Sequence, residues 1–164
     1  MKNNVRRCLA LFTLALAGCT SAMGESDRMT ETNSSARKRV LFVCIENSCR
    51  SQMAEAFARL HGAGGVEVYS AGSRPSGRVN PRAIEFMQEI GYDLRPHQSK
   101  GLDDLPDVTF DAAVTLGCGD ACPLVRAKQR LDWDIPDPKE LPAEQFRKVR
   151  DLIEYKVKEL LNVL

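Results

Sequence analysis

Apolar residues recur in short unbroken runs, and polar or glycine-rich segments separate them. Arg39–Cys44 (RVLFVC) is such a run, the pattern of a strand buried on both faces. Ser51–His61 (SQMAEAFARLH) has helical composition, with Met53, Ala56, Phe57 and Leu60 on one face, and Gly62, Gly64 and Gly65 end it. Val66–Ser70 alternates as a second strand, and Ser73–Val79 is a loop. Pro81 opens a helix over 82–90 with Ile84, Met87 and Ile90 inward, and Gly91 stops it. Phe110–Leu116 (FDAAVTL) is a third buried strand, and 131–135 (LDWDI) is a weaker fourth. Residues 143–164 form a long amphipathic helix, buried through Phe146, Val149, Leu152, Ile153, Val157, Leu160 and Leu161. This alternation predicts an α/β domain: a small parallel four-stranded sheet with helices on both faces, in three layers. Ligands of such sheets bind at the carboxyl ends of strands, and the first strand ends at Cys44.

The first 38 residues do not fit that alternation. Residues 1–7 are basic, and 8–18 are apolar but too few to span a bilayer, which needs about 20. A basic start and an apolar stretch make a signal-peptide layout. Leu16-Ala17-Gly18-Cys19 resembles the lipobox of bacterial lipoproteins, which implies lipidation of Cys19 and a signal over 1–19. Translation from Met23 or Met29 is the alternative. The first places the domain on a membrane facing the periplasm or exterior, and a Met29 start places it in the cytoplasm. Residues 20–38 are polar, rich in Ser and Thr, and read as a flexible linker to one domain over 39–164. The chain's 43% hydrophobic and 27% charged residues exclude a disordered protein. Its net charge is +1, and removing the three basic groups of 1–19 leaves −2. That excludes the basic excess of a nucleic-acid binder. Six cysteines in 164 residues are too few for a disulfide scaffold, so their positions matter more than their number.

Two of them lie in Cys44-Ile45-Glu46-Asn47-Ser48-Cys49-Arg50-Ser51, a short loop between strand and helix. Successive N–H groups in such a loop point inward and form an anion cradle at a positive helix end. Arg50 adds a planar two-pronged clamp for a tetrahedral oxyanion. The same field favours the thiolate of Cys44, and the Ser51 hydroxyl is placed to donate to it. A nucleophile therefore sits under a bound oxyanion.

C-x5-R-S after an N-terminal strand resembles the low-molecular-weight protein tyrosine phosphatases. The strings ENSCRSQMAEAFARLHG, YSAGSRPSGRVNPRAI, VTLGCGDACP and DWDIPDPKE resemble the arsenate reductases built on that fold, across about 39–164. The resemblance implies Cys44 as nucleophile and Arg50 as oxyanion binder, with Ile45, Glu46, Asn47, Ser48 and Cys49 as the cradle. It also implies Asp137, in Ile135-Pro136-Asp137-Pro138, as the acid that protonates the departing oxygen. By composition alone Asp137 reads equally well as a turn aspartate.

Cys118 and Cys122, in Gly117-Cys118-Gly119-Asp120-Ala121-Cys122-Pro123, separate reductase from phosphatase. Two cysteines in a glycine-containing loop at the active-site end permit serial thiol exchange with Cys44. A structural disulfide is the alternative; a metal pair is disfavoured because His61 and His97 have no ligand spacing. Thioredoxin-coupled relatives usually space this pair more widely, which leaves thioredoxin, glutaredoxin or a small thiol as donor. Some relatives bind potassium through an aspartate where Lys100 stands; the lysine ammonium replaces the ion, or Lys100 is a surface residue. The expectation is a monomeric arsenate reductase with no bound cofactor or metal and an external thiol reductant. The alternative is a phosphotyrosine phosphatase. Charged Lys139 and Glu140, where phosphatases of the family usually place aromatics after Asp-Pro, favour a small inorganic oxyanion.

Overall fold

The structure is a computed structural model, and it describes residues 37–117 and 125–164. Cys19, the linker up to residue 36, Cys118 and Cys122 lie outside the described residues. Four strands form one parallel sheet: β1 (Lys38–Cys44), β2 (Val66–Gly72), β3 (Phe110–Leu116) and β4 (Ala127–Trp133), in the order β2-β1-β3-β4. The helices are α1 (Arg50–His61), α2 (Pro81–Gln88) and α3 (Ala143–Val163), with a 3-10 turn at Leu102–Asp104. The parallel α/β architecture is the one predicted.

Alternation along β1 divides the core in two. Val40, Phe42 and Cys44 face a cluster shared with Met53, Phe57, Phe86, Met87, Phe146, Ile153 and Val157, so α1, α2 and α3 contribute to one cluster. Leu41 and Val43 face the other way and pack with Ala71, Phe110 and Ala113. Among the described residues that second face is covered by Leu102, Leu105 and Val108, from the 3-10 turn and the segment after it, and by Val125, just before β4. The three α-helices thus contribute to one cluster, and the other face carries the 3-10 turn and neighbouring loop residues.

Several boundaries differ from the sequence pattern. β1 begins at Lys38, one residue inside the expected linker, because Lys38 pairs with Val66. β4 covers 127–133 rather than 131–135. Among the described residues it pairs only with β3, so it is an edge strand there, and its exposed Lys128, Gln129 and Arg130 hide it from an apolar pattern. Helix α2 ends two residues early, leaving Ile90 39% exposed. Leu60 and Leu152, expected inward, are 50% and 36% exposed. The buried face of α1 instead includes its polar first turn, Arg50 to Gln52, and Glu55. Among the described residues no helix is long and apolar enough to cross a membrane.

Candidate active site

The loop after β1 is held open from outside. Its carbonyls are taken by the segment that follows β2: Ser73, Arg74, Ser76 and Asn80 donate N–H to Cys44, Ile45, Glu46 and Ser48 at 3.3, 2.8, 3.0 and 2.8 Å. The Ser99 hydroxyl also donates to the Glu46 carbonyl, and Met53 N–H to that of Cys49. Engaging the carbonyls outward is the arrangement an anion cradle requires, because it leaves the N–H groups as the loop's donors for an anion. Asn47 makes the turn in left-handed backbone (φ 48°), which asparagine tolerates better than most residues.

Behind the loop lies a buried polar network. Asn47 Nδ2 donates to Ser51 Oγ at 2.9 Å and to Ser70 Oγ at 2.8 Å. Ser51 Oγ is 3.0 Å from Cys44 Sγ. Gln52 Nε2 donates to Asn47 Oδ1 and to the Gln98 carbonyl, both at 2.9 Å, and Gln52 Oε1 accepts from His97 Nδ1 at 2.9 Å. Tyr92 OH and His97 Nε2 are 3.1 Å apart. Burial lowers the His97 pKa, which fits the neutral ring with Nδ1–H donating. Glu55, 2% exposed, accepts from Ser70 Oγ and pairs with Arg59 at 2.5 Å and Lys100 at 3.5 Å. The Lys100 N–H donates to Asn47 Oδ1 at 2.8 Å. Lys100 is thus engaged with the rear of the cradle and not free on the surface.

In front, a cavity of about 140 Å³ is lined by Cys44, Ile45, Glu46, Ser48, Cys49 and Arg50 with Arg74, Asp137 and Lys139. Arg50 is 7% exposed, and its guanidinium is fixed by neighbours from three directions. Nη1 donates to the carbonyls of Gly117 and Ile135 at 3.2 and 3.1 Å, and Nη2 meets Asp137 Oδ2 at 3.1 Å. Gly117 has φ 63°, and a Cβ there would stand 2.7 Å from Arg50 Nη1. That explains the glycine: it permits both the left-handed turn and the close approach. Asp137 Oδ1 accepts from the Lys139 N–H at 3.2 Å, and Lys139 Nζ pairs with Glu46 across the cavity mouth. The Lys139 hydrogen bond holds the Glu46 carboxyl below the usual carboxylate range, while burial works against it. Burial pushes the Cys49 thiol up, with Asp137 and Cys44 adding to the shift. Burial therefore holds Cys49 as a neutral thiol in the core, whereas Cys44 Sγ lies 3.0 Å from the Ser51 hydroxyl.

The structure thus brings Cys44, Arg50 and Asp137 together. Of the expected cradle residues, Asn47 and Ser51 do not line the cavity; their side chains support it from behind. Sequence reasoning missed Gln52, Glu55, Ser70, His97 and Arg74. Their partners lie up to 46 residues apart, and no local pattern marks them. Among the described residues no cluster of His, Cys, Asp and Glu is suited to a metal. His61 instead meets Glu154 at 2.9 Å.

A family model for low molecular weight phosphotyrosine protein phosphatase matches residues 39–164. A glutaredoxin arsenate reductase of Synechocystis sp. is 40% identical over 127 residues, 76% of this chain and 96% of the relative. An arsenate reductase of Staphylococcus aureus is 41% identical over 121 residues, 71% of this chain and 91% of its own length. A solved structure described as an arsenate reductase in the phosphate binding state aligns with a TM-score of 0.69 at 38% identity. That alignment covers 76% of this chain and 97% of the other. With the cradle, the clamp and the fold in agreement, this chain belongs to the low molecular weight phosphotyrosine protein phosphatase family.

Proposed function

We propose that the chain is a thiol-dependent arsenate reductase. One observation carries the reading: a nucleophilic sulfur, a buried guanidinium and a carboxylate converge on one small cavity, with Ser51 Oγ 3.0 Å from Cys44 Sγ. Arsenate binds in the loop 44–50. Cys44 thiolate attacks arsenic while Asp137 gives a proton to the departing oxygen, which leaves as water. Cys118 thiolate then attacks the Cys44 sulfur. The sulfur–arsenic bond breaks, its electron pair stays on arsenic, and As(V) becomes As(III), released as arsenite. The two cysteines are left as a disulfide. Cys122 thiolate attacks Cys118, frees Cys44, and an external dithiol or pair of thiols returns two electrons. Cys118 directly follows Gly117, whose carbonyl accepts from Arg50; that adjacency supports the relay. The donor is thioredoxin, glutaredoxin or a small thiol, and the enzyme works as a monomer.

Lys139 paired with Glu46 at the mouth supports a small inorganic oxyanion over a phosphotyrosine side chain. We read Lys100 as taking the place of a bound cation behind the cradle. Glu55 is already engaged by Arg59, Ser70 and Lys100, so the residues present do not fit a further ion. The N-terminal reading stands beside this: Cys19 is lipidated and anchors the domain outside the cytoplasm, unless translation starts at Met29. Mass spectrometry of the natural N-terminus decides between them.

The relay is tested with two variants. Cys118→Ser should stop multiple-turnover arsenate reduction and spare slow aryl phosphate hydrolysis, which needs only Cys44, Arg50 and Asp137. Cys122→Ser should complete one turnover and trap a Cys44–Cys118 disulfide, visible by peptide mapping. Wild-type reduction by both variants with every donor would remove the relay and put phosphatase chemistry first.

A further inference from the structure

We propose that Arg82, outside the oxyanion cavity, is a positioning residue for the acid Asp137; the proposal rests on the reading of Asp137 as general acid. Asp137 stands on the irregular segment that joins β4 to α3. Among the described residues its carboxylate has two hydrogen-bond contacts, the Arg50 guanidinium and the Lys139 N–H. Before Asp137 the segment is anchored by buried Ile135, whose carbonyl accepts from Arg50 at 3.1 Å; these contacts leave the tilt of the turn after Asp137 to another element. Pro136 and Pro138 restrict two backbone φ angles, yet the turn as a whole could still pivot.

Arg82 supplies the restraint on the side after Asp137, at the carbonyls of Lys139 and Leu141. It occupies the first turn of α2, where its N–H donates to Asn80 Oδ1 at 2.9 Å. Its guanidinium reaches across to the acid segment and donates from Nη1 to the Lys139 carbonyl at 2.5 Å. From Nη2 it donates to the Leu141 carbonyl at 2.6 Å. Two donors on one rigid plane fix both the position and the tilt of the turn 138–141, which is closed by Leu141 N–H to the Pro138 carbonyl at 3.1 Å. The guanidinium carbon lies 5.6 and 5.1 Å from the ring centroids of Phe86 and Phe146, which stack on each other at 4.4 Å. Arg82 is therefore itself immobilised between α2 and α3. A single lysine ammonium would not hold both carbonyls in one plane.

A structural role alone would make Arg82 a stabiliser of α2–α3 packing, and the test separates the two. First-turnover arsenite formation is measured by rapid quench, and phosphate binding by calorimetry, on the full chain. Arg82→Gln should slow the first turnover by about 5- to 20-fold, part of the roughly 10²- to 10⁴-fold that a positioned acid contributes. Phosphate affinity should stay within twofold. Arg82→Lys should fall between Arg82→Gln and wild type, and it serves if Arg82→Gln does not fold. In an Asp137→Asn background, which is itself slowed, Arg82→Gln should add less than twofold, because no acid is left to position. Equal slowing by Arg82→Gln in both backgrounds, or no slowing in the first, would overturn the proposal. If Asp137→Asn alone leaves the first turnover unchanged, the acid assignment fails and the proposal falls with it. If Asp137→Asn slows it and neither Arg82 variant does, only the proposal falls.

Discussion

Gly72 offers the sharpest test of the cradle, because a methyl group there has nowhere to go. It ends β2 in register with Cys44, and a Cβ would stand 2.7 Å from the Ile45 oxygen, 2.8 Å from the Asn47 nitrogen and 2.9 Å from the Glu46 carbonyl carbon. Ordinary van der Waals contacts of such a carbon begin at 3.4 Å, so the shortfall is 3.4 − 2.9 = 0.5 Å to 3.4 − 2.7 = 0.7 Å. The obstacle is backbone, which cannot rotate away as a side chain would. Gly72 cannot retreat either: its N–H donates to the Lys100 carbonyl at 2.9 Å, and Ser73 N–H donates to Cys44 at 3.3 Å. Forcing such a contact costs about 1–3 kcal/mol. The loop must take up about half an ångström of the strain. Since about 1 Å of misplacement at a site can cost 10²-fold, Gly72→Ala should weaken phosphate binding by about tenfold or more. Calorimetry with phosphate and a thermal melt measure both effects. Gly77→Ala is the control. Gly77 has φ 75°, and an added methyl would meet nothing within 4 Å, so the change should cost about 1–2 kcal/mol and leave binding untouched. Phosphate affinity within twofold of wild type in Gly72→Ala would refute the claim that this contact shapes the cradle.

Two further outcomes follow from the site. Arg50→Lys keeps the charge but cannot serve Gly117, Ile135, Asp137 and an oxyanion together; turnover should fall by about 10²- to 10³-fold, checked by steady-state kinetics. Turnover within twofold of wild type would remove the clamp. The depressed pKa of His97 means that the unfolded chain binds a proton more readily as pH falls through the usual imidazole value near 6.5. Stability from the neutral ring is therefore complete above that value and lost below it. The urea midpoint should drop between pH 7.5 and 5.5, and His97→Gln should flatten the drop; equal wild-type midpoints would contradict this.

How much the sequence discloses depends on how local the physics is. β3 is legible to the residue because Phe110, Ala112, Ala113, Val114 and Leu116 are all buried, and the cradle because Cys44 and Arg50 are six positions apart. β4 is misplaced by pattern because an edge strand needs only one partner and tolerates Lys128, Gln129 and Arg130. Leu60 and Leu152 look like core because period alone cannot say how wide the covered face is. The start of α1 is an error of a different kind: Gln52 and Glu55 look solvated in sequence, yet they are buried under the loop. Their partners Ser70, His97 and Lys100 become neighbours only when β2 and the segment after α2 fold back.

The seating of Arg50 ties chemistry to the rim of the sheet. Its carbonyl partners belong to Gly117, one residue past β3, and Ile135, two past β4, and among the described strands β4 is bonded to β3 alone. If β4 detaches, one of those acceptors and the Asp137 contact leave with it, while β1 and the cradle stay paired. Amide exchange along β4 therefore serves as a clock for the clamp: the fraction of time those amides are open is time in which arsenate would meet a half-held guanidinium. A substitution that tightens the outer edge, far from any reacting atom, would raise the share of competent molecules without touching the cavity.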